Sequence, residues 1–273
     1  MTTGPGLYAD LPADPLELRS IAVEVAAAAA ALVRASRAQG FGIATKSTDT
    51  DMVTDVDHAS DRLIVEMLAA RRPNDAILAE ESGPADGVSG VCWVVDPIDG
   101  TTNFVYDHPP YTVSIAAVVG DTPIAGVVHD VAPDVSVSAA LGHGATRDGA
   151  TIRVRPAPPL AQALVATGFG YSPERRARQV EVLGALIARI RDVRRMGAAS
   201  ADLCSVASGR VDAYYEAGLG PWDLAAGRVI ATEAGARVEL LDQAQSPLSI
   251  VAAHPDLFGP FMELLVEVGA DTI

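Results

Sequence analysis

Cysteine is nearly absent from these 273 residues: only Cys92 and Cys204 occur, in the apolar settings Val91-Cys92-Trp93 and Leu203-Cys204. Two cysteines exclude a disulfide framework and fall short of a zinc site. They read as two buried free thiols in a reducing cytoplasm. Basic residues are also scarce, 20 against 35 acidic ones, for a formal charge of -15. That argues against sequence-independent nucleic-acid binding, which needs Lys and Arg to neutralise phosphates, and against an anionic membrane surface as partner. The bland reading, that the acidity serves solubility, covers most of the 35. Long apolar runs are missing too. The Ala-rich stretch Val25 to Val33 is too short to span a bilayer and has no basic region before it, so neither a membrane span nor a signal peptide is expected. Neither Gly-x-Ser-x-Gly nor Gly-x-Gly-x-x-Gly occurs, which removes serine-hydrolase and dinucleotide readings. There are no repeats and no low-complexity linker. The five histidines, His58, His108, His129, His143 and His254, share no ligand spacing and read as structural or exposed.

What is present is enough apolar material, 49% of residues, for a sizeable core in one large domain or two small ones. Gly4, Pro5 and Pro12 mark residues 1–13 as a flexible tail. Asp14-Pro15-Leu16-Glu17 then gives a cap, a proline at the first helical position and a Glu three residues past the cap, for a helix that Gly40 ends. A polar loop over Thr45 to Thr50 leads to a second helix over Asp57 to Arg72. Ala76 to Ala79 and Val91 to Val95 read as buried strands. Tyr111 to Val119, Pro123 to His129 and Val135 to Ala139 read as an antiparallel meander. The second half predicts strands at Leu164 to Thr167, Val193 to Met196, Val211 to Tyr215, Arg237 to Leu241 and Ile250 to Ala253. Its helices are expected over Ser172 to Ile190, Ala198 to Ser208, Leu224 to Ala234 and Pro255 to Val268. The two small-residue helices, Ala198 to Ser208 and Leu224 to Ala234, are expected between packed layers.

Four acidic clusters punctuate this order. They are Asp51-Met52-Val53-Thr54-Asp55-Val56-Asp57, Glu80-Glu81-Ser82, Asp96-Pro97-Ile98-Asp99-Gly100-Thr101-Thr102-Asn103, and Gly220-Pro221-Trp222-Asp223. The third follows the run Val91 to Val95 and puts two carboxylates and two hydroxyls in one turn. Hard divalent cations take oxygen ligands, and phosphate takes backbone N–H groups and a nearby cation. Each cluster also has a dull reading. Asp223 and Asp57 suit helix caps, Glu80-Glu81 a solvated turn, and Asp99-Gly100 a plain turn. The dull readings do not explain why all four follow the same logic.

Those segments, with Leu78-Ala79-Glu80-Glu81-Ser82, Trp93 to Phe104 and Trp222-Asp223-Leu224-Ala225-Ala226-Gly227, make the chain resemble the inositol monophosphatase family of magnesium-dependent, lithium-sensitive phosphatases, its bacterial members above all. The resemblance runs from about Lys46 to Ala253, with the motifs in the same order and spacing. It implies an α+β fold, a layered αβαβα sandwich, forming a homodimer. Residues 14–273 would be a single unit, with a metal-site half over about 14–155 and a second α/β half over about 156–273. It implies hydrolysis of a phosphate monoester by metal-activated water. Carried over by position, Glu80, Asp96 and the carbonyl of Ile98 resemble ligands of a first Mg²⁺, and Asp96, Asp99 and Asp223 those of a second; a third ion shares Glu80. Thr101 resembles the residue that orients the attacking water with Glu80, and Asp57 its hydrogen-bond partner. Gly100 and Thr101 N–H groups would cradle the phosphate, and Lys46 resembles a lysine on the mobile loop that closes the metal site. Ala199, Glu216, Asp99 and Asp223 fall where family members contact a polyol, although Glu216 also suits a plain strand-end charge. Phe169-Gly170-Tyr171 would lie near the pocket mouth. The expected substrate is a small phosphorylated polyol, inositol 1-phosphate first. The alternatives are histidinol phosphate, fructose 1,6-bisphosphate or a nucleotide phosphate with the same chemistry, or a regulatory protein-binding role.

Overall fold

The computed structural model describes residues 11–46, 48–241 and 248–270. Residues 1–10 of the predicted tail lie outside them. Leu11 and Ala13 are not loose: they pack on the first apolar cluster, which shortens the tail from the predicted 1–13.

The first helix, α1 (Pro15–Gln39), begins where Asp14 Oδ1 accepts the Leu16 N–H at 2.9 Å and stops at Gly40. Its buried face, Leu18, Ala22, Val25, Ala26, Ala29, Ala30 and Val33, follows the helical period. The loop expected after it is instead a hairpin, β1 (Ile43–Thr45) against β2 (Met52–Thr54). All three β1 residues are exposed, so no apolar alternation marked it. Thr54 caps α2 (Asp55–Arg71).

An eight-stranded sheet follows: β3 (Ala76–Ala79), β4 (Gly83–Ala85), β5 (Cys92–Asp99), β6 (Thr112–Val119), β7 (Thr122–Asp130), β8 (Val135–Ala140), β9 (Ala145–Arg147) and β10 (Ala150–Ile152). Its order is β10-β9-β8-β7-β6-β5-β3-β4; β3 and β5 run parallel and the other pairs antiparallel. The predicted meander is β6 to β8. Between β5 and β6 lies the short helix α3 (Thr101–Tyr106).

The second half contains β11 (Leu164–Thr167), α4 (Pro173–Ile187), β12 (Asp192–Arg194), α5 (Ala199–Ala207), β13 (Ala213–Leu219), α6 (Pro221–Glu233), β14 (Arg237–Leu241), β15 (Leu248–Ala253) and α7 (Pro255–Glu267). The five strands form a mixed sheet in the order β12-β11-β13-β15-β14. Three shifts from the expected bounds matter. Strand β5 continues through Asp99, β13 continues past Tyr215 and so contains Glu216, and α6 starts at Pro221, which places Asp223 in its first turn.

Three apolar clusters correspond to three interfaces between layers. Helices α1 and α2 cover one face of the large sheet. Helices α5 and α6 lie between the sheets, where Val94, Ala116 and Val128 meet Leu203, Ile230, Tyr214 and Ile250. Helices α4 and α7 cover the outer face of the small sheet. The layering is αβαβα, as the resemblance implied, and the small-residue helices are the middle layer because Ala and Gly let both sheets approach them. Cys204 is buried in that layer; Cys92 is only half-buried, and both are free thiols. No helix among the described residues is long and apolar enough to cross a membrane.

Strand β5 is pinned from behind by Trp93. The ring is fully buried, and Nε1–H donates to Asp75 Oδ2 at 3.0 Å, while Arg72 pairs with the same carboxylate. Trp93→Phe removes the donor and leaves a void, so it is expected to cost about 2 kcal/mol. Urea unfolding checks this as a lower midpoint at unchanged slope.

Candidate active site

Asp96 and Asp99 lie inside β5, not in a turn beyond it. In a regular strand they would face opposite sides. The pairing with β6 slips between them: Asp96 faces Ser114 and Asp99 faces Thr112, three residues against two. This extra residue is a bulge, and it turns both carboxylates into one cavity. Pro97 sits in the bulge, where a strand tolerates a missing N–H, and its carbonyl accepts from Ser60 Oγ at 3.1 Å. Gly100 then turns the chain into α3 at φ 88°, a left-handed conformation, with Gly197 O 3.1 Å and Ala198 Cβ 3.2 Å from where a Cβ would stand. Only glycine meets both demands.

The cavity measures about 350 Å³. Lys46, Glu80, Asp96, Ile98, Asp99, Gly100, Thr101 and Asp223, all expected at the site, line it, together with Asp51, Met52, Tyr171, Gly220 and Trp222. Asp96, Asp99 and Asp223 each present one oxygen within 4.8 Å of the others. Asp223 Oδ2 accepts the Gly220 N–H at 2.6 Å, so its capping role and its place in the cluster are both real. Asp57 also caps a helix, and it bonds a cavity residue from outside the cluster. Its Oδ2 accepts from Thr54 N at 2.9 Å and Thr54 Oγ1 at 2.5 Å, closing a capping box on α2, while Oδ1 accepts from Thr101 Oγ1 at 3.0 Å.

The cluster carries unbalanced negative charge. Burial first, then repulsion from Glu80, Asp99 and Asp223, holds the Asp96 carboxyl well above the ordinary range. Burial does the same to Asp223, aided by Asp99 and Glu80. Asp99 is pushed up to about 6, by burial against the hydrogen bonds of Ser200. Lys46 Nζ donates to Glu80 Oε1 at 2.7 Å and bonds Glu81 as well. Burial opposes the lysine's charge, but the two glutamates raise it above its ordinary value. One lysine does not balance four clustered carboxyls. An all-oxygen donor set with excess negative charge is the chemistry that a hard divalent cation requires, so the residues present fit Mg²⁺.

Three expected site residues stand apart from the cavity wall, the first being Asp57, which meets it only through Thr101. Ala199 is buried at the start of α5, where its backbone N–H bonds the Asp99 carboxylate. Glu216 lies behind Asp99 on β13 and, with Phe169, faces a small separate hollow, while Tyr171 of the same loop reaches the main cavity. One contributor escaped the sequence reading. Ser200 donates its N–H at 2.8 Å and its Oγ–H at 2.5 Å to Asp99 Oδ2. Its only sequence signal is its place beside Ala199. No histidine lines the cavity; His129, for example, bonds Ser136 at 2.8 Å and Asp134 at 3.0 Å at the β7–β8 turn.

The model of the inositol monophosphatase family matches residues 14–266. The chain belongs to this family. An inositol-1-monophosphatase of Mycobacterium bovis is 48% identical over 265 residues, 89% of this chain and 91% of that protein. A Nus factor SuhB of Pasteurella multocida is 41% identical over 215 residues, 77% and 80% of the two chains. The solved structure of Mycobacterium tuberculosis SuhB superposes with a TM-score of 0.82 at 44% identity, covering 94% of this chain and 98% of that one. Membership in the inositol monophosphatase family supports hydrolysis of a phosphate monoester.

Proposed function

We propose that this chain is a Mg²⁺-dependent phosphatase of small polyol phosphates, with inositol 1-phosphate as first substrate, acting as a cytoplasmic homodimer. The observation that carries the reading is the group Asp96, Asp99 and Asp223, three carboxylate oxygens within 4.8 Å on one wall of a cavity that also holds Glu80 and Thr101. Glu80, Asp96 and the Ile98 carbonyl would hold one cation, and Asp96, Asp99 and Asp223 a second; Glu80 would share in a third. When bound, such cations would polarise the phosphate and make the attacking water more acidic.

The remaining work belongs to the chain. The Thr101 hydroxyl commits its proton to Asp57 and Ile98 O, at 3.0 and 3.1 Å, so its oxygen is left to accept from water. Glu80 offers a second acceptor and fixes the direction of attack. The N–H groups of Gly100 and Thr101 hold phosphate oxygens. Lys46, on the β1–β2 turn, adds a positive charge that screens the incoming phosphate from the carboxylates. Tyr171 and Trp222 bound the cavity on the leaving-group side.

A substrate panel tests the reading. Inositol 1-phosphate is expected to give the highest kcat/KM among inositol 1-phosphate, histidinol phosphate, fructose 1,6-bisphosphate and nucleotide monophosphates. A different leader keeps the chemistry and replaces the substrate. No release from any of them removes the enzymatic reading. The relatives named Nus factor then favour a protein-binding role; the charge of -15 disfavours direct contact with RNA.

A further inference from the structure

A second cavity, about 360 Å³, lies between the large sheet and α5 and shares no lining residue with the acidic one. Its size suits a small ligand. One wall follows from strand register. Val128 and Asp130 stand two apart on β7, Val137 of β8 is opposite Val128, and Arg147 of β9 is opposite Val137, so all four side chains share one face. The other wall is α5 with its cap Ser208, which presents Ala201, Cys204, Ser205 and Ser208 at helical spacing, and Arg210 just after it. The charged groups of this cavity act on one another without pairing. Burial raises the Asp130 carboxyl above its ordinary range, against the pull of the Ala132 N–H, Arg210 and Arg147. Among the described residues neither arginine forms an ion pair, and Asp130 Oδ1 is buried with no hydrogen-bond partner. Two guanidiniums against one carboxylate leave a local positive excess in a chain of net charge -15. Guanidinium forks match the oxygens of a phosphate or a carboxylate.

We propose that this cavity is a second binding site, for a small hydroxylated anion: Arg147 and Arg210 take its phosphate or carboxylate group, and Asp130 accepts one of its hydroxyls. The site goes beyond the catalytic reading and does not depend on it. A bare anion meets Asp130 as a repelling charge. A hydroxyl on the same ligand turns that contact into a hydrogen bond to a charged group, which is among the stronger kinds. The two cavities are joined by one link. Thr112, on the wall of the second and opposite Asp130 in the β6–β7 register, has its Oγ1 2.7 Å from Ser200 Oγ, and Ser200 holds Asp99. A ligand in the second cavity is therefore two side chains away from Asp99.

Metal-free protein isolates this site, because without cations the acidic cavity carries excess negative charge and repels anions. The experiment is calorimetric titration of the full chain in chelator with inositol 1-phosphate, gluconate, myo-inositol and sulfate. At least one of the two hydroxylated anions is expected to bind, one per chain and about tenfold tighter than sulfate, and myo-inositol is expected not to bind; the tighter of the two anions tells phosphate from carboxylate. Arg147→Gln and Arg210→Gln are each expected to weaken binding about tenfold. Asp130→Asn should narrow the gap to sulfate, and Lys46→Gln, in the acidic cavity, should leave the affinity in place. Binding of neither hydroxylated anion overturns the proposal, as does equal affinity for sulfate. Binding lost in Lys46→Gln and kept in the arginine variants also overturns it, by placing the ligand in the acidic cavity. A wild type that binds neither anion, with arginine variants that change its oligomeric state in light scattering, overturns it and makes this face a contact between copies. No turnover enters these readings, so they stand or fall apart from the phosphatase assignment.

Discussion

Replacing Asp96 by Asn is expected to cut Mg²⁺-dependent phosphate release about a thousandfold, some 4 kcal/mol of transition-state stabilisation, while making the metal-free protein more stable. The two effects share one cause. Asp96 is buried at the centre of the carboxylate group, and Glu80, Asp99, Asp223 and Asp57 all repel its charge. Asn keeps an oxygen for the Ile98 N–H, which Asp96 Oδ1 accepts at 3.0 Å, and so preserves the bulge. It removes the charge that both cation positions would share. Without metal the loss of repulsion should raise stability by about 1–2 kcal/mol, as relief of a strained functional site commonly does. Thermal unfolding with and without Mg²⁺ reads both sides: a higher Tm than wild type in chelator and a smaller rise on adding Mg²⁺. A variant destabilised in chelator would mean that the carboxylate serves as a structural group.

Thr101→Ala is expected to lower kcat by about a hundredfold to a thousandfold at nearly constant KM, the range for loss of a group that positions a proton in the transition state. The hydroxyl lies at the first position of α3, where alanine suits the helix, so the stability cost should be limited to the lost bond to Asp57, about 1 kcal/mol. Thr101→Ser keeps the oxygen and should recover most of the rate. Asp57→Asn tests the same link less cleanly, because Asp57 also accepts both bonds from Thr54 at the start of α2 and its loss carries a stability cost of about 1 kcal/mol. Steady-state kinetics of the Ala and Ser variants separate the cases. Equal losses in both would place the requirement in the threonine methyl and not in its hydroxyl.

The chemistry of this site is legible in the sequence because its carriers stand close together. Asp96, Asp99, Gly100 and Thr101 fall within six residues, and Glu80 and Asp223 each follow an apolar run or open a helix. How those side chains converge is not legible. The run Val94, Val95, Pro97, Ile98 has no alternation to betray the bulge, and the slip is visible only in the pairing with β6. Ser200 fixes Asp99 through a contact between distant segments, and a serine in a small-residue helix gives no sign of that. Asp57 and Asp223 offered two readings each, cap or site. The structure shows both caps, and beyond them Asp57 bonds Thr101 while Asp223 lies with Asp96 and Asp99. The layers were readable from periodicity and small-residue helices. The β1–β2 hairpin and the short strands β9 and β10 were not, since their residues are mostly exposed or half-exposed and too few to show a pattern.

The central claim is that the Asp96, Asp99 and Asp223 group holds cations without which no hydrolysis occurs. The most direct test is phosphate release from inositol 1-phosphate by the wild-type chain, stripped with chelator and then titrated with Mg²⁺. The account predicts no release in chelator and full recovery on adding Mg²⁺. Release that persists undiminished in chelator would contradict it.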